Sequence, residues 1–324
     1  MDAPTWATVT TAAEPKALLL AFVAHHLEAG ASEVFIYLDR PNPAFAALVA
    51  PMEQVHVFDA SEGGWPALHG KKKRAIGSRE VVRRQIANAR HAQTLAKSDW
   101  LFHVDVDEFI VNTPQLEQFL SGLPEEVWGV VLPVAERVFE GVDEDETVFG
   151  GSFRTRIDKE GLVEKVYGDT ARFLKKGLAG HSLGKAGARI GTPAQLRLHT
   201  VDLPEEENEQ ARKRRFDRVG MLHFDAWSYE SWLAKMQRLH GNPLGSPERA
   251  LLVEAVATGD TGHTPREIFG QIYELSPEQV KALDKAGRLY RQDFAIDDKI
   301  RQVFPDVSVD LSKAGVARLH KGLW

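Results

Sequence analysis

The feature that most limits the fold is a change of hydrophobic period near the start of the chain. "PKALLLAFVAHHLEAG", Pro15 to Gly30, reads as a helix with Gly30 as its stop, and "EVFIYLD", Glu33 to Asp39, follows as a strand. The alternation continues. Residues 44–50 suit a short helix, "QVHVFDA" from Gln54 a second strand, and residues 78–97 a long helix with Val82, Ile86, Ala89, Ala92 and Leu95 on one stripe. "DWLFHVDVDEFI" from Asp99 begins as a covered strand, Thr113 and Pro114 signal a helix start, and "EEVWGVVLPV" supplies another strand. Strands and helices repeating at these lengths predict an α/β fold with a mostly parallel sheet flanked by helices, in preference to a helical bundle or an antiparallel sandwich.

From about 136 to 200 the pattern is less regular, and "PEEENEQARKRRFDR" reads as an exposed charged helix or connection. Beyond it Ser228, Ser246 and Ser276 each precede a helical pattern, the last two followed by proline. We therefore expect one α/β domain over 1–227 and a mainly helical C-terminal extension over 228–324. With 324 residues, 43% hydrophobic and 27% charged, the chain has the composition of a folded protein with a substantial core. The absence of cysteine excludes disulfides and thiolate-bound metals but leaves His, Asp and Glu for a harder ion. A net charge of -6 gives no general reason to bind nucleic acid. "MDAPTWATVTT" has no signal-peptide character and no apolar run is long enough for a transmembrane segment, so the expectation is a cytoplasmic protein, with peripheral membrane association left open.

The chemistry concentrates where the covered strand "LFHV" runs into Asp105, Asp107 and Glu108. Neighbouring carboxylates repel unless a cation, a proton or hydrogen-bond donors compensate them. A hard divalent metal does so and completes its coordination with phosphate oxygens and water. A strand end would set that ion where open α/β sheets bind ligands. The same acids also fit a polar strand terminus with local hydrogen bonding. "HSLGKAG", His181 to Gly187, offers glycine backbone donors and the Lys185 ammonium to an anion, yet it is neither a P-loop nor a dinucleotide fingerprint. His223, in "GMLHFDAWS", and His199, in "LRLHTVD", suit a core position or a metal ligand alike, and His25 and His26 read as ordinary helix residues.

Taken in order, "FVAHHLEAGASEVFIYLDRPN", "RRQIANARHAQTLAKSDWLFHVDVDEFI", "LPVAERVFEG", "GHSLGKAG", "LRLHTVD" and "MLHFDAWSYESWLAKMQR" resemble bacterial family-2-like glycosyltransferases of the GT-A fold, related in pattern to glycosyltransferase family 92. The resemblance spans about residues 8–240. It implies transfer of a sugar from a nucleotide-sugar donor to a carbohydrate or other hydroxyl acceptor, with Mn²⁺ or Mg²⁺ on the diphosphate, in a context of polysaccharide or other surface-glycan assembly. By position it makes Asp105-Val106-Asp107 the D-x-D element, with Asp107 the metal ligand and Asp105 directed to the donor ribose or metal water. His223 becomes a further ligand, Asp39 a nucleoside-recognition residue, Lys185 a phosphate-side cation, and Glu136 the base, with Glu108 and Asp225 as alternatives. Arg40 stands where the related pattern often carries another acid. Two other classes share the scaffold: a non-catalytic carbohydrate or partner-binding module, and a metal-dependent phosphotransferase or nucleotidyltransferase.

Overall fold

The computed structural model describes residues 3–70, 74, 78–142, 147–159, 161–205, 207–241, 245–259 and 262–320. In chain order the strands are β1 (Trp6–Ala12), β2 (Glu33–Leu38), β3 (Val55–Asp59), β4 (Trp100–His103), β5 (Glu108–Ile110), β6 (Gly129–Leu132), β7 (Val134–Glu140), β8 (Ser152–Thr155), β9 (Lys185–Arg189), β10 (Gln195–Leu196), β11 (Val201–Asp202), β12 (Lys213–Arg215), β13 (Met221–His223), β14 (Glu274–Leu275) and β15 (Leu289–Tyr290). The helices are α1 (Lys16–Glu28), α2 (Pro43–Val49), α3 (Trp65–His69), α4 (Ser78–Leu95), α5 (Thr113–Ser121), α6 (Leu162–Tyr167), α7 (Glu209–Arg212), α8 (Tyr229–Leu239), α9 (Pro247–Thr258), α10 (Pro265–Tyr273), α11 (Pro277–Lys285), α12 (Ile296–Val303) and α13 (Lys313–His320). None of the described helices is long and apolar enough to cross a membrane.

The chain forms two compact units. The first takes Met1–Pro133, Leu183–Met221 and Ile296–Val309, and the second Val134–Ser182, Leu222–Ala295 and Asp310–Trp324. These segments interleave along the sequence, whereas the sequence pattern suggested one boundary after residue 227.

The first unit is an α/β layer around a seven-stranded sheet of order β12-β6-β9-β4-β1-β2-β3. The expected parallel portion is there: β1 pairs in parallel with both β2 and β4, and β2 with β3. The sheet as a whole is mixed, because β9 runs antiparallel between β4 and β6. Ala7, Val9, Phe35, Tyr37, Leu101, Ala186 and Ala188 cover one buried surface of this sheet together with Ala89 and Ala92 of α4. Near-continuous burial of β1, β2 and β4 follows from helices lying on both faces. The edge strand β12, "KRR", is guarded by charge, with Arg212 and Lys213 paired to Glu207 and Glu209.

The second unit gathers helices around short strands. β7 pairs antiparallel with β8 and parallel with β14, and β8 antiparallel with β15. Its core holds Val138, Tyr167, Trp232, Met236, Leu252, Ile268, Phe269 and Tyr273. The three serine caps form as the sequence suggests: Ser228, Ser246 and Ser276 each accept a backbone N–H at the start of α8, α9 and α11. At α5 the capping residue is instead Asn112, which sits in the left-handed region at φ 55° and gives no side-chain cap to the helix.

Candidate functional site

The order of the parallel strands fixes where a ligand can meet the first unit. From β1 the chain steps outward to β2 and β3, then returns to place β4 on the other side of β1. Such a reversal opens a crevice beyond the carboxyl ends of the two strands that flank it, where open α/β sheets bind ligands. Both flanking strands deliver acids there: Glu14 follows β1, and Asp105, Asp107 and Glu108 follow β4.

The acidic turn is organised by a lysine from the antiparallel neighbour. The β4–β9 register sets Trp100 opposite Arg189 and Phe102 opposite Gly187, which brings Lys185, at the start of β9, to the end of β4. Gly187 is required by this approach, since a Cβ there would stand 2.3 Å from the Phe102 ring. The Lys185 side chain is fully buried, with Nζ 2.5 Å from Asp105 Oδ2 and 3.1 Å from Glu108 Oε2. Burial by itself lowers a lysine's pKa, but the Asp105 and Glu108 carboxylates more than offset it and hold the ammonium charged. The Asp105 N–H donates to Glu108 Oε2 at 2.7 Å, the Glu108 N–H returns to the Asp105 carbonyl at 3.0 Å, and Gln85 Nε2 donates to Asp105 Oδ1 at 2.9 Å.

These contacts revise two sequence assignments. "HSLGKAG" forms no open anion-binding turn at its lysine: Lys185 is an internal counter-ion, and both Asp105 oxygens accept from protein donors. Asp107 is half-buried, as is Asp105, whereas Glu108 is fully enclosed. Glu14, not singled out from the sequence, lies close enough to feel Asp107 and Asp105. Its carboxyl is pushed up to about 7 by burial, then by Asp107 and Asp105. Next to the turn, His103 is driven down to about 4 by burial and the Lys185 ammonium. His199, by contrast, contacts the Gly184 carbonyl through Nδ1 at 2.8 Å.

Asp39 lies just past the carboxyl end of β2, as the sequence suggests, but its carboxylate is held by two arginines. Arg84 donates through Nε at 3.2 Å and Nη2 at 2.9 Å, and Arg74 Nη2 lies 2.9 Å from Oδ1. Arg84, which lies off the apolar stripe of α4, is only 7% exposed.

In the second unit His223 ends β13, and one of its ring nitrogens lies within 4.8 Å of one from His181. The loop carrying His181 is clamped at its backbone. Glu136 Oε1 accepts the Ala179 N–H at 3.0 Å, Oε2 accepts the Gly180 N–H at 2.6 Å, and Arg249 donates to the Ala179 carbonyl at 3.0 Å. Gly180 has no room for a side chain, because a Cβ would stand 2.8 Å from both Glu136 and His223. Glu136 is also paired with the Arg154 guanidinium, and neither side chain has appreciable exposure. A carboxylate enclosed in this way anchors the loop, and it has almost no exposed surface from which to meet an acceptor hydroxyl. Asp225 is likewise committed. Burial opposes its charge, but Arg249 and Lys235 hold it well below the usual carboxylate range, and the Tyr273 hydroxyl donates to it at 2.7 Å.

No family model and no curated protein matches this chain. Among solved structures, similarity is found to glucosyl-3-phosphoglycerate synthase from Mycobacterium tuberculosis. Its complex with Mn²⁺, uridine-diphosphate-glucose and phosphoglyceric acid matches at a TM-score of 0.30 and 13% identity, over 57% of this chain and 57% of that one. Its complex with Mg²⁺ and uridine diphosphate matches at 0.30 and 11%, over 57% and 56%. A further structure, described only as a mycobacterial protein, is 11% identical over 60% of this chain and 58% of its own. The chain thus spans less than two thirds of these proteins, and similarity at this level carries no argument about activity.

Proposed function

We propose that this chain is a metal-dependent glycosyltransferase of the GT-A class, moving a sugar from a nucleotide-diphosphate donor to a carbohydrate or other hydroxyl acceptor. The observation that carries the reading is the acidic cluster at the β1–β4 reversal. Glu14, Asp105, Asp107 and Glu108 gather there with the buried ammonium of Lys185, and burial first, then Asp107 and Asp105, pushes Glu14 up to about 7. Clustered carboxylates suit a hard divalent cation, and oxygen donors are the chemistry that Mn²⁺ and Mg²⁺ prefer. Asp107 is the proposed ligand. Asp105, tied to Gln85 and Lys185, serves as support.

When bound, the cation supplies charge to stabilise a departing nucleoside diphosphate. Lys185 acts on the turn rather than on phosphate, holding Asp105 and Glu108 together so that Asp107 is presented at the strand end. Asp39, fixed by Arg84 and Arg74, is proposed to meet the nucleoside as part of that ion-paired group. Glu136 is proposed as the support of the His181 loop.

A calorimetric screen of nucleotide sugars with and without Mn²⁺, followed by product analysis, tests the reading. The expected result is binding of donor and cation together, with both phosphates kept in the nucleotide product. Release of pyrophosphate or transfer of phosphate would replace it with a phosphotransferase or nucleotidyltransferase. Donor binding without hydrolysis or transfer to a broad acceptor panel would point to a non-catalytic module.

A further inference from the structure

Directly after the acidic turn, the backbone of Ile110 is held at both of its polar groups by two consecutive histidines of α1. His25 Nε2 meets the Ile110 carbonyl at 2.6 Å, and the Ile110 N–H donates to His26 Nε2 at 3.3 Å. The opposite ring nitrogens are engaged as well: His26 Nδ1 contacts the Phe22 carbonyl at 2.9 Å, and Lys299 Nζ of α12 reaches His25 Nδ1 at 3.1 Å. Each set of partners defines one neutral tautomer. His25 carries its proton on Nε2 and donates to Ile110, while His26 carries its proton on Nδ1 and accepts from Ile110.

Both rings are buried, and the Phe109 ring lies over His26 at 7° and edge-on to His25. Burial, the largest influence on each, holds both well below the ordinary histidine range, His26 at about 3, so they stay neutral and the donor and acceptor roles persist. Adjacent helix residues point in different directions, and only a segment running alongside α1 can take one backbone bond from each of them.

We propose that His25 and His26 are positioning residues for the cation site: as a complementary donor–acceptor pair they fix the backbone of Ile110, and through it the orientation of the turn that presents Asp107. This rests on reading the turn as the cation site. The pair touches neither cation nor donor and works only through the peptide groups on either side of one residue. A turn tethered on one side by Lys185 and on the other by this pair has little freedom left, as a preorganised carboxylate site requires.

The test exploits the fact that glutamine places its amide near His Nε2, while asparagine places its amide near Nδ1. His26→Gln keeps an acceptor for the Ile110 N–H, and His26→Asn keeps only the donor to Phe22. Both variants are compared with the wild-type chain by circular dichroism, hydrogen exchange of the Ile110 amide, and Mn²⁺ titration. The expected outcome is that His26→Asn speeds Ile110 exchange and weakens Mn²⁺ binding, each by about tenfold, with His26→Gln recovering most of both losses. Folded His26→Asn and His26→Gln chains that behave alike in exchange and titration would overturn the positioning role. If His26→Asn does not fold, His25→Gln and His25→Asn provide the same contrast at the Ile110 carbonyl, read by Mn²⁺ titration and by exchange of the Val111 amide, which shares that peptide group. A wild-type chain that binds no Mn²⁺ overturns the cation reading itself, while Ile110 exchange still decides whether the clamp operates.

Discussion

The Lys185 ammonium sits 2.5 Å from Asp105 Oδ2, and the lysine side chain has no exposed surface. With Glu108 as the second partner, this contact answers how a covered strand can end in several acids: two of them share a buried cation supplied by the neighbouring antiparallel strand. Replacing Lys185 with methionine leaves Glu108 buried without its counter-ion. We expect Lys185→Met to lower unfolding stability by about 3–5 kcal/mol in urea melts. Adding Glu108→Gln should restore at least about 1 kcal/mol, because the two sites are coupled.

Asp107 should behave differently, since it is half-buried whereas Glu108 is enclosed. Asp107→Ala is expected to leave the unfolding free energy from urea melts within about 0.5 kcal/mol of the parent's. It should weaken Mn²⁺ binding at least about tenfold and remove the mutual enhancement between Mn²⁺ and nucleotide. Undiminished coupled binding in the folded variant would reject the assignment.

The neutral histidines make stability depend on pH. The folded chain holds His26 at about 3, so below the unfolded histidine pKa near 6.5 the unfolded chain gains a proton that the folded chain refuses. The associated stability is fully present above that value and falls as the solution is acidified. His25 and His103 are depressed in the same sense and add to the slope. Comparing wild type with His26→Gln in urea melts between pH 6 and pH 4.5 should isolate a difference of about 1.4 kcal/mol per pH unit. Parallel lines for the two proteins would show that His26 is not held neutral.

Glu136 distinguishes an anchor from a base. Glu136→Ala leaves the buried Arg154 guanidinium without its carboxylate and should cost about 3–5 kcal/mol, much of it regained when Arg154→Met accompanies Glu136→Met. Loss of a general base would remove the acid limb of the pH–rate profile and reduce turnover by about 10²–10⁴. With Glu136→Gln we expect the shape of that profile to be kept, since the carboxylate is enclosed by Arg154 and two peptide N–H groups.

What could be read from the sequence was whatever short-range periodicity carries. α1, β2, α2, β3, α4 and β4 all lie close to where their patterns put them, and the acids fall at the end of β4. The parts that escaped depend on pairing between distant segments. Nothing local in "HSLGKAG" distinguishes a glycine turn from the start of a strand; that Lys185 faces inward follows only from the β4–β9 register. Glu14 is a single acid before a proline, and its importance appears once β1 and β4 are known to be neighbours. His25 and His26 read as ordinary helix residues because an amphipathic pattern assumes a solvated side. α1 has scarcely one, since its residues from Ala17 to His26 are all buried. Arg84 was missed for a related reason: periodicity assigns it to the polar face of α4 but says nothing of Asp39, which occupies that face.

The reach of Lys299 back to His25 also has a consequence for how the protein is made. These residues are 274 positions apart, and α12 belongs to the same compact unit as α1. During synthesis the first sheet can begin to assemble early, but its helix α1 cannot be closed over by α12 until nearly all of the second unit's sequence has left the ribosome. Contacts of such large separation slow folding and leave apolar surface uncovered in the meantime. The strongly apolar "ALLLAFVA" of α1 is the segment that must wait, and on a nascent chain it is the natural place for a chaperone to hold.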